Sequence, residues 1–221
     1  MTSTPNITHS IHTPRCHNLQ ELPSAASEHS RLCALLSQQD AVIQKENQLS
    51  KHLLHGLAYT TGSALGSDPP TREQCLSAFV AVSNKSQLTA GARAWSKHAH
   101  RSFADPQAGA DKCRGDNVAG WWGKQPTGPV AGINEKALHL SEKAMDNATW
   151  RNLHWLPHQV LVYEVRVEEG YGMRWSQDRG RILAGAGGKE GTAPGSQEPP
   201  WVFRGFVEPM MENGHGIGWR H

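Results

Sequence analysis

Long apolar runs are missing from this chain, and none of its hydrophobic stretches approaches the length a bilayer-crossing helix needs. No secretory leader is expected either, because the first residues contain no apolar segment. Their Ser, Thr and His content weakly resembles an organelle-import leader. Arg15 is the only strong base before Arg31, however, and a disordered tail over residues 1–29 is the reading adopted. Charge of one sign is also scarce. Lys and Arg total 22 against 20 Asp and Glu, a net charge of +2, which argues against a dedicated DNA-coating protein but permits a local phosphate-binding patch. Cysteine is sparse and unpaired in spacing: Cys16, Cys33, Cys75 and Cys113 form neither a zinc-ribbon pattern nor a disulfide framework. A reduced, intracellular and cytoplasmic setting is expected, with the thiols buried rather than nucleophilic.

Histidine, by contrast, is abundant at 13, and all eight tryptophans fall between Trp95 and Trp219. The chain is long enough for one domain with tails. Residues 30–221 are expected to form that domain, interrupted by a Gly/Pro-rich excursion at about 176–200.

Helical periodicity comes first. Leu32, Leu35, Leu36, Val42, Ile43, Leu49, Leu53, Leu54 and Leu57 recur at threes and fours from Arg31 onward, with a polar break at Ser37–Asp40. His52 and His55 share this segment at helical spacing and read as surface histidines. Thr71 and Gln74 fit a capping box opening a helix to about Val82. Thr89 caps a second, in which Arg93, Lys97 and Arg101 are spaced by four with His100 beside them. Such a stripe is mildly self-repelling, by about 0.2–0.5 kcal/mol per pair, unless it faces carboxylates or a bound anion. Asn134 is placed to cap a third helix over Glu135–Asn147, with Ile133 and Leu138 as its staple.

The β-signal is concentrated between Trp150 and Trp175. From Val160 the residues alternate, so Leu161, Tyr163, Val165 and Val167 make an apolar face, and Val160, Val162, Glu164 and Arg166 the other. Trp150–Leu156 reads as the strand before it, ended by Pro157. Gly170–Tyr171–Gly172 supplies a turn into a return strand from Met173, and Trp201–Val207 resumes the sheet. The fold class expected is therefore α+β, an antiparallel sheet of about four strands in the C-terminal half packed against N-terminal helices.

Chemistry-bearing residues gather on these elements. The expected acid–base groups are His100, His154, Glu164 and His215, with Glu164 orienting or deprotonating. Arg93, Lys97, Arg101, Arg166, Tyr171, Arg174 and Arg204 are the expected ligands of an anionic substrate, since guanidinium groups match phosphate and carboxylate. A single hollow is expected to join the stripe from Arg93 to the Glu164–Arg166 pair. An ordinary alternative is that Glu164 and Arg166 merely pair with each other.

Metal ligation is not expected from the pattern. His98 and His100 could chelate together only if their stretch were a strand, and Pro157 separates His154 from His158. No cofactor is expected; a divalent metal stays open on that one condition. The glycines of 185–191 resemble a phosphate loop only superficially, because Glu190 follows Lys189 where a hydroxyl residue is required. The glycine-punctuated end from Asn213 to His221 reads as tied down by its Trp219.

Three functions fit. The first is an enzyme, a hydrolase or transferase, acting on a phosphate ester, nucleotide or RNA end. The second is a single-stranded nucleic-acid binder that stacks bases on Trp121, Trp122 or Trp155. The third is a non-catalytic interaction protein. The expected partner is an anionic small molecule or RNA and not a membrane; protein partners are not specified by the pattern.

Overall fold

The computed structural model describes residues 13–37, 47–99, 120–180 and 198–210. His100, Arg101, Cys113 and His215, the 185–192 stretch and the C-terminal 211–221 lie outside the described residues. Those described form five helices and a four-stranded antiparallel sheet, an α+β fold. The helices are α1 (Ser24–Ser37), α2 (Gln48–Leu54), α3 (Arg72–Val80), α4 (Ala90–His98) and α5 (Val130–Asp146). The strands β1 (Trp150–Leu156), β2 (Val160–Arg166), β3 (Gly172–Asp178) and β4 (Val202–Val207) lie side by side in chain order. Among the described residues, no helix is long and apolar enough to cross a membrane.

Alternation in the strands builds the core. Leu153, Leu161, Tyr163, Val165, Met173, Trp175, Phe203 and Phe206 meet Cys75, Phe79, Ala92, Trp95, Ala137, Ala144 and Met145 from α3, α4 and α5. The large rings keep their polar atoms satisfied there: the Trp175 indole donates to the Cys75 carbonyl at 3.0 Å, and the Trp95 indole to that of Trp122 at 2.7 Å. The opposite face of the sheet receives Asn152, His154, Glu164, Arg166, Arg174 and Ser176.

Local signals place most elements well. Thr71 and Gln74 form the expected capping box, and Thr89 caps α4 by accepting from the Ala92 amide. α3 stops at Val80 rather than Val82. α5 starts at Val130, after Pro129, so the expected cap at Asn134 lies inside the helix. Its side chain instead ties α5 to the start of α4, accepting from the Thr89 amide and donating to the Gln87 carbonyl. β3 runs to Asp178, past the expected start of the excursion at Ser176.

Residues 13–29, expected to belong to a tail, are held at several points by hydrogen bonds to segments flanking the sheet, and from Ser24 they lie in α1. The Arg15 amide donates to the Thr149 carbonyl at 3.0 Å and the His17 amide to that of Glu168 at 2.8 Å. Residues 58–64, whose amides at Ala58 and Ala64 donate to Arg151 and Leu153, cover the free edge of β1, and the Leu22 amide ties the preceding segment to Tyr59. This attachment matters for the site, because it brings Cys16 beside the charged face.

Candidate functional site

Cross-strand register builds a polar cluster on the face away from the core. Arg174 of β3 lies directly opposite Glu164, and Asn152 of β1 is opposite on its other side. His154 pairs with Val162 and is therefore diagonal to Glu164, within reach on the same face.

Glu164 is the hub. Arg166 Nε donates to its Oε1 at 2.6 Å, while Arg174 donates to Oε2 from Nε at 2.7 Å and lies 2.6 Å from it through Nη2. Burial pushes the Glu164 carboxyl up, but the two guanidinium groups outweigh it and hold the group below the usual carboxylate range. A carboxylate held in this way is a weak base. Of the two expected roles, the geometry suits orientation.

The two arginines differ in access. Arg166 is 2% exposed and spends Nη1 on the main-chain carbonyls of Gly170 and Glu208, at 2.6 and 2.7 Å. It is sealed from a ligand, contrary to the expectation that it binds one. The Arg174 side chain is 34% exposed, which leaves it the accessible cation. Opposite it, β4 carries a bulge, with Gly205 at φ +135°, a conformation that favours glycine. A Cβ there would meet nothing within 4 Å among the described residues, although Gly205 itself is buried. Arg204 is exposed at the same bulge.

His154 is half-buried. Burial is the main influence on its pKa, lowering it; Glu164 pulls it up and Arg174 pushes it down, with a net decrease. The imidazole is consequently neutral near pH 7. Its Nδ1 is buried without a hydrogen-bond partner among the described residues, a costly condition for a polar atom.

The basic helix does not look onto this cluster. α4 buries Ala92 and Trp95 in the core, and Arg93 and Lys97 are exposed on its outer side. Since Glu164 points to the other side of the sheet, the hollow expected to join Arg93 to Glu164 and Arg166 is absent. Alternation decided this: α4 lies against β4 on the apolar face of the sheet, to which β2 gives its odd residues, and the acid–base pair is even. Tyr171 also departs from the cluster, lying flat on Trp121 with centroids 5.8 Å apart, next to the core. Trp122 is 1% exposed and offers no stacking surface, whereas Trp155 is 38% exposed.

α4 is helical through His98, and Ala99 keeps αR geometry, so the strand that metal chelation by His98 and His100 required is not formed. Among the described residues, no group of three or more His, Cys, Asp or Glu is arranged to hold a metal ion. Cys16 feels both Arg166 and Glu164, but burial pushes its thiol up to about 11. The Cys75 thiol is pushed up to about 12 by burial. Neither thiol is poised as a thiolate nucleophile. Sequence reasoning missed Asn152 and Gly205; alternation with His154 could have found the first.

Residues 80–182 match a family model described as the CdiA C-terminal tRNase toxin domain. The match covers a little under half of the chain, including α4, α5 and β1 to β3 but neither Arg204 nor Glu208. His154, Glu164, Arg166 and Arg174 all lie within it. The similarity implies an RNA-cleaving nuclease that acts on an anionic nucleic-acid substrate. Neither the curated proteins nor the solved structures gave a match.

Proposed function

We propose that this protein cleaves RNA, with transfer RNA as its substrate, at the polar face of the sheet. The observation carrying the proposal is a neutral, half-buried His154 beside an arginine that Glu164 holds in place, all inside the stretch similar to a tRNase domain. RNA carries its own nucleophile, the 2′-hydroxyl next to each phosphate. A neutral imidazole can take the proton from that hydroxyl. The 2′-oxygen then bonds to phosphorus as the phosphorus–5′-oxygen bond breaks, leaving a 2′,3′-cyclic phosphate and a 5′-hydroxyl once the departing oxygen is protonated.

Each residue has a physical part. His154 Nδ1 is buried, so Nε2 is the nitrogen left to meet the substrate. Arg174, the accessible cation, offsets charge growing on the phosphoryl oxygens. Glu164 fixes its guanidinium before the substrate arrives, and Arg166 fixes Glu164 from behind. Preorganisation of this kind supplies stabilisation without reorganisation during the reaction.

The test is incubation of the purified full chain with a tRNA pool, with cut positions read from the fragments. Wild type should release fragments ending in a cyclic phosphate. His154→Gln should slow cleavage by about 10²–10⁴-fold and Arg174→Ala by about 10²–10³-fold, with the fold retained in circular dichroism. Binding of RNA without any cutting would overturn the proposal and favour a binding module resting on the exposed Trp155.

A further inference from the structure

A hollow of about 270 Å³ lies on the apolar face of the sheet, where α3 and the end of α5 meet β1 and β2. Its lining includes Arg72 and Cys75 of α3, Met145 of α5, Arg151 of β1, and Tyr163 and Val165 of β2. The odd residues of β2 form its floor, so it is on the side of the sheet away from Glu164. Cys75, Met145, Tyr163 and Val165 are buried, Arg151 is half-buried and Arg72 is exposed at the rim. Among the described residues, the two arginines are the only charged side chains in the lining.

Neither guanidinium is fully matched. Arg72 Nη1 donates to Asp146 Oδ1 at 2.6 Å, a bridge from α3 to α5 that leaves its Nε and Nη2 without partners among the described residues. Glu73, also in the first turn of α3, is exposed and folds back on its own main-chain amide. Arg151 has no carboxylate partner among the described residues. Its Nη1 and Nη2 lie 3.3 and 3.4 Å from the carbonyls of Ala148 and Met145, longer than ordinary N–H···O bonds. Bracing the end of α5 is a plain structural use for such contacts. It leaves a half-buried positive charge without a counter-ion, however, and that is unfavourable until an anion enters. Arg151 also hydrogen-bonds the Tyr163 phenol, whose pKa burial pushes up, so the hydroxyl keeps a proton to donate.

We propose that this hollow binds a small phosphate-bearing anion, either free phosphate or the monoester of a nucleotide. Arg151 meets it from the floor, Arg72 from the rim, and Tyr163 donates its hydroxyl. Donors from α3, β1 and β2 approach from different directions, which suits a tetrahedral anion better than a planar carboxylate. Liquid water takes about 30 Å³ per molecule, so the volume suits a phosphate group and part of its ester and excludes a folded RNA. The site is separate from the face proposed to cut RNA and does not depend on the nuclease reading. Occupancy would tie α3 to the sheet and stabilise the folded chain by mass action.

Thermal melting of the full chain in sodium phosphate, against sodium chloride at equal ionic strength and pH, tests the site. The midpoint should rise with phosphate beyond the chloride control, and Arg174→Ala, which removes the accessible cation of the polar face, should retain that rise. Arg151→Met should abolish it. Arg72→Met should require about tenfold to hundredfold more phosphate, the share of one charge-assisted hydrogen bond. Adenosine 5′-monophosphate acting at lower concentration than phosphate would identify an ester as the ligand; phosphate acting alone would identify the free ion. Equal midpoints in phosphate and chloride would overturn the proposal, as would a response lost in Arg174→Ala or kept unchanged by Arg151→Met. If Arg151→Met does not fold, Arg72→Met decides, because its side chain is exposed: an unchanged phosphate response there would sink the site.

Discussion

One carboxylate holding two guanidinium groups makes Glu164 the residue on which the polar face depends. Its oxygens are shared, Oε1 to Arg166 and Oε2 to Arg174. Removing its charge would leave Arg166 buried with only carbonyl partners. A buried pair broken on one side costs about 3–5 kcal/mol. Glu164→Gln keeps an acceptor oxygen, so a loss of about 3 kcal/mol is expected in urea unfolding, with activity falling as Arg174 loosens. An unfolding midpoint equal to that of wild type would show that the pair does not hold the sheet together. At this scale the residues were legible as types, but the role of each was not. Exposure separates Arg174 from Arg166, and exposure is a property of packing.

At the scale of elements, α4 decides which face of the sheet is available. Its buried side carries Gly91 and Ala92, small enough to let the helix lie against Phe79. A Cβ at Gly91 would run into the Phe79 ring. Gly91→Ala should therefore destabilise by about 1–3 kcal/mol through overpacking, measured by thermal or urea melting. Unchanged melting would mean that Phe79 has room to swing aside. The strands and α3 to α5 were largely readable because caps, turns and two-residue alternation are local signals. The start of α5 was misread because Asn134 suits a cap, yet here it bonds to α4, a contact between elements far apart in sequence.

For the whole molecule, buried histidines link folding to pH. Burial is the main cause lowering the pKa of both His52 and His154 from 6.5. Lowered folded values mean that the unfolded chain binds more protons in the window below 6.5, so stability is full above it and falls as pH drops towards the folded values. Glu164 acts with the same sign at lower pH, since its folded carboxyl is held below 4.5. Urea midpoints should therefore decline steadily on acidification from neutrality, and His154→Gln should flatten the upper part of that decline. A midpoint independent of pH between neutrality and pH 5 would contradict the burial of these imidazoles.

The sequence by itself determined what short-range physics controls: the α+β class, the four strands, the capping box at Thr71 and the cap at Thr89. It also determined that Glu164 and Arg166 share a face, because strand alternation needs no tertiary information. Which elements that face would meet was decided only by the tertiary structure. The helix bearing Arg93 settled on the apolar side, driven by burial of Ala92 and Trp95, and so left the charged side to His154, Arg174 and the chain after β4. Side-chain pattern fixes direction within an element, whereas the packing of elements against one another fixes company.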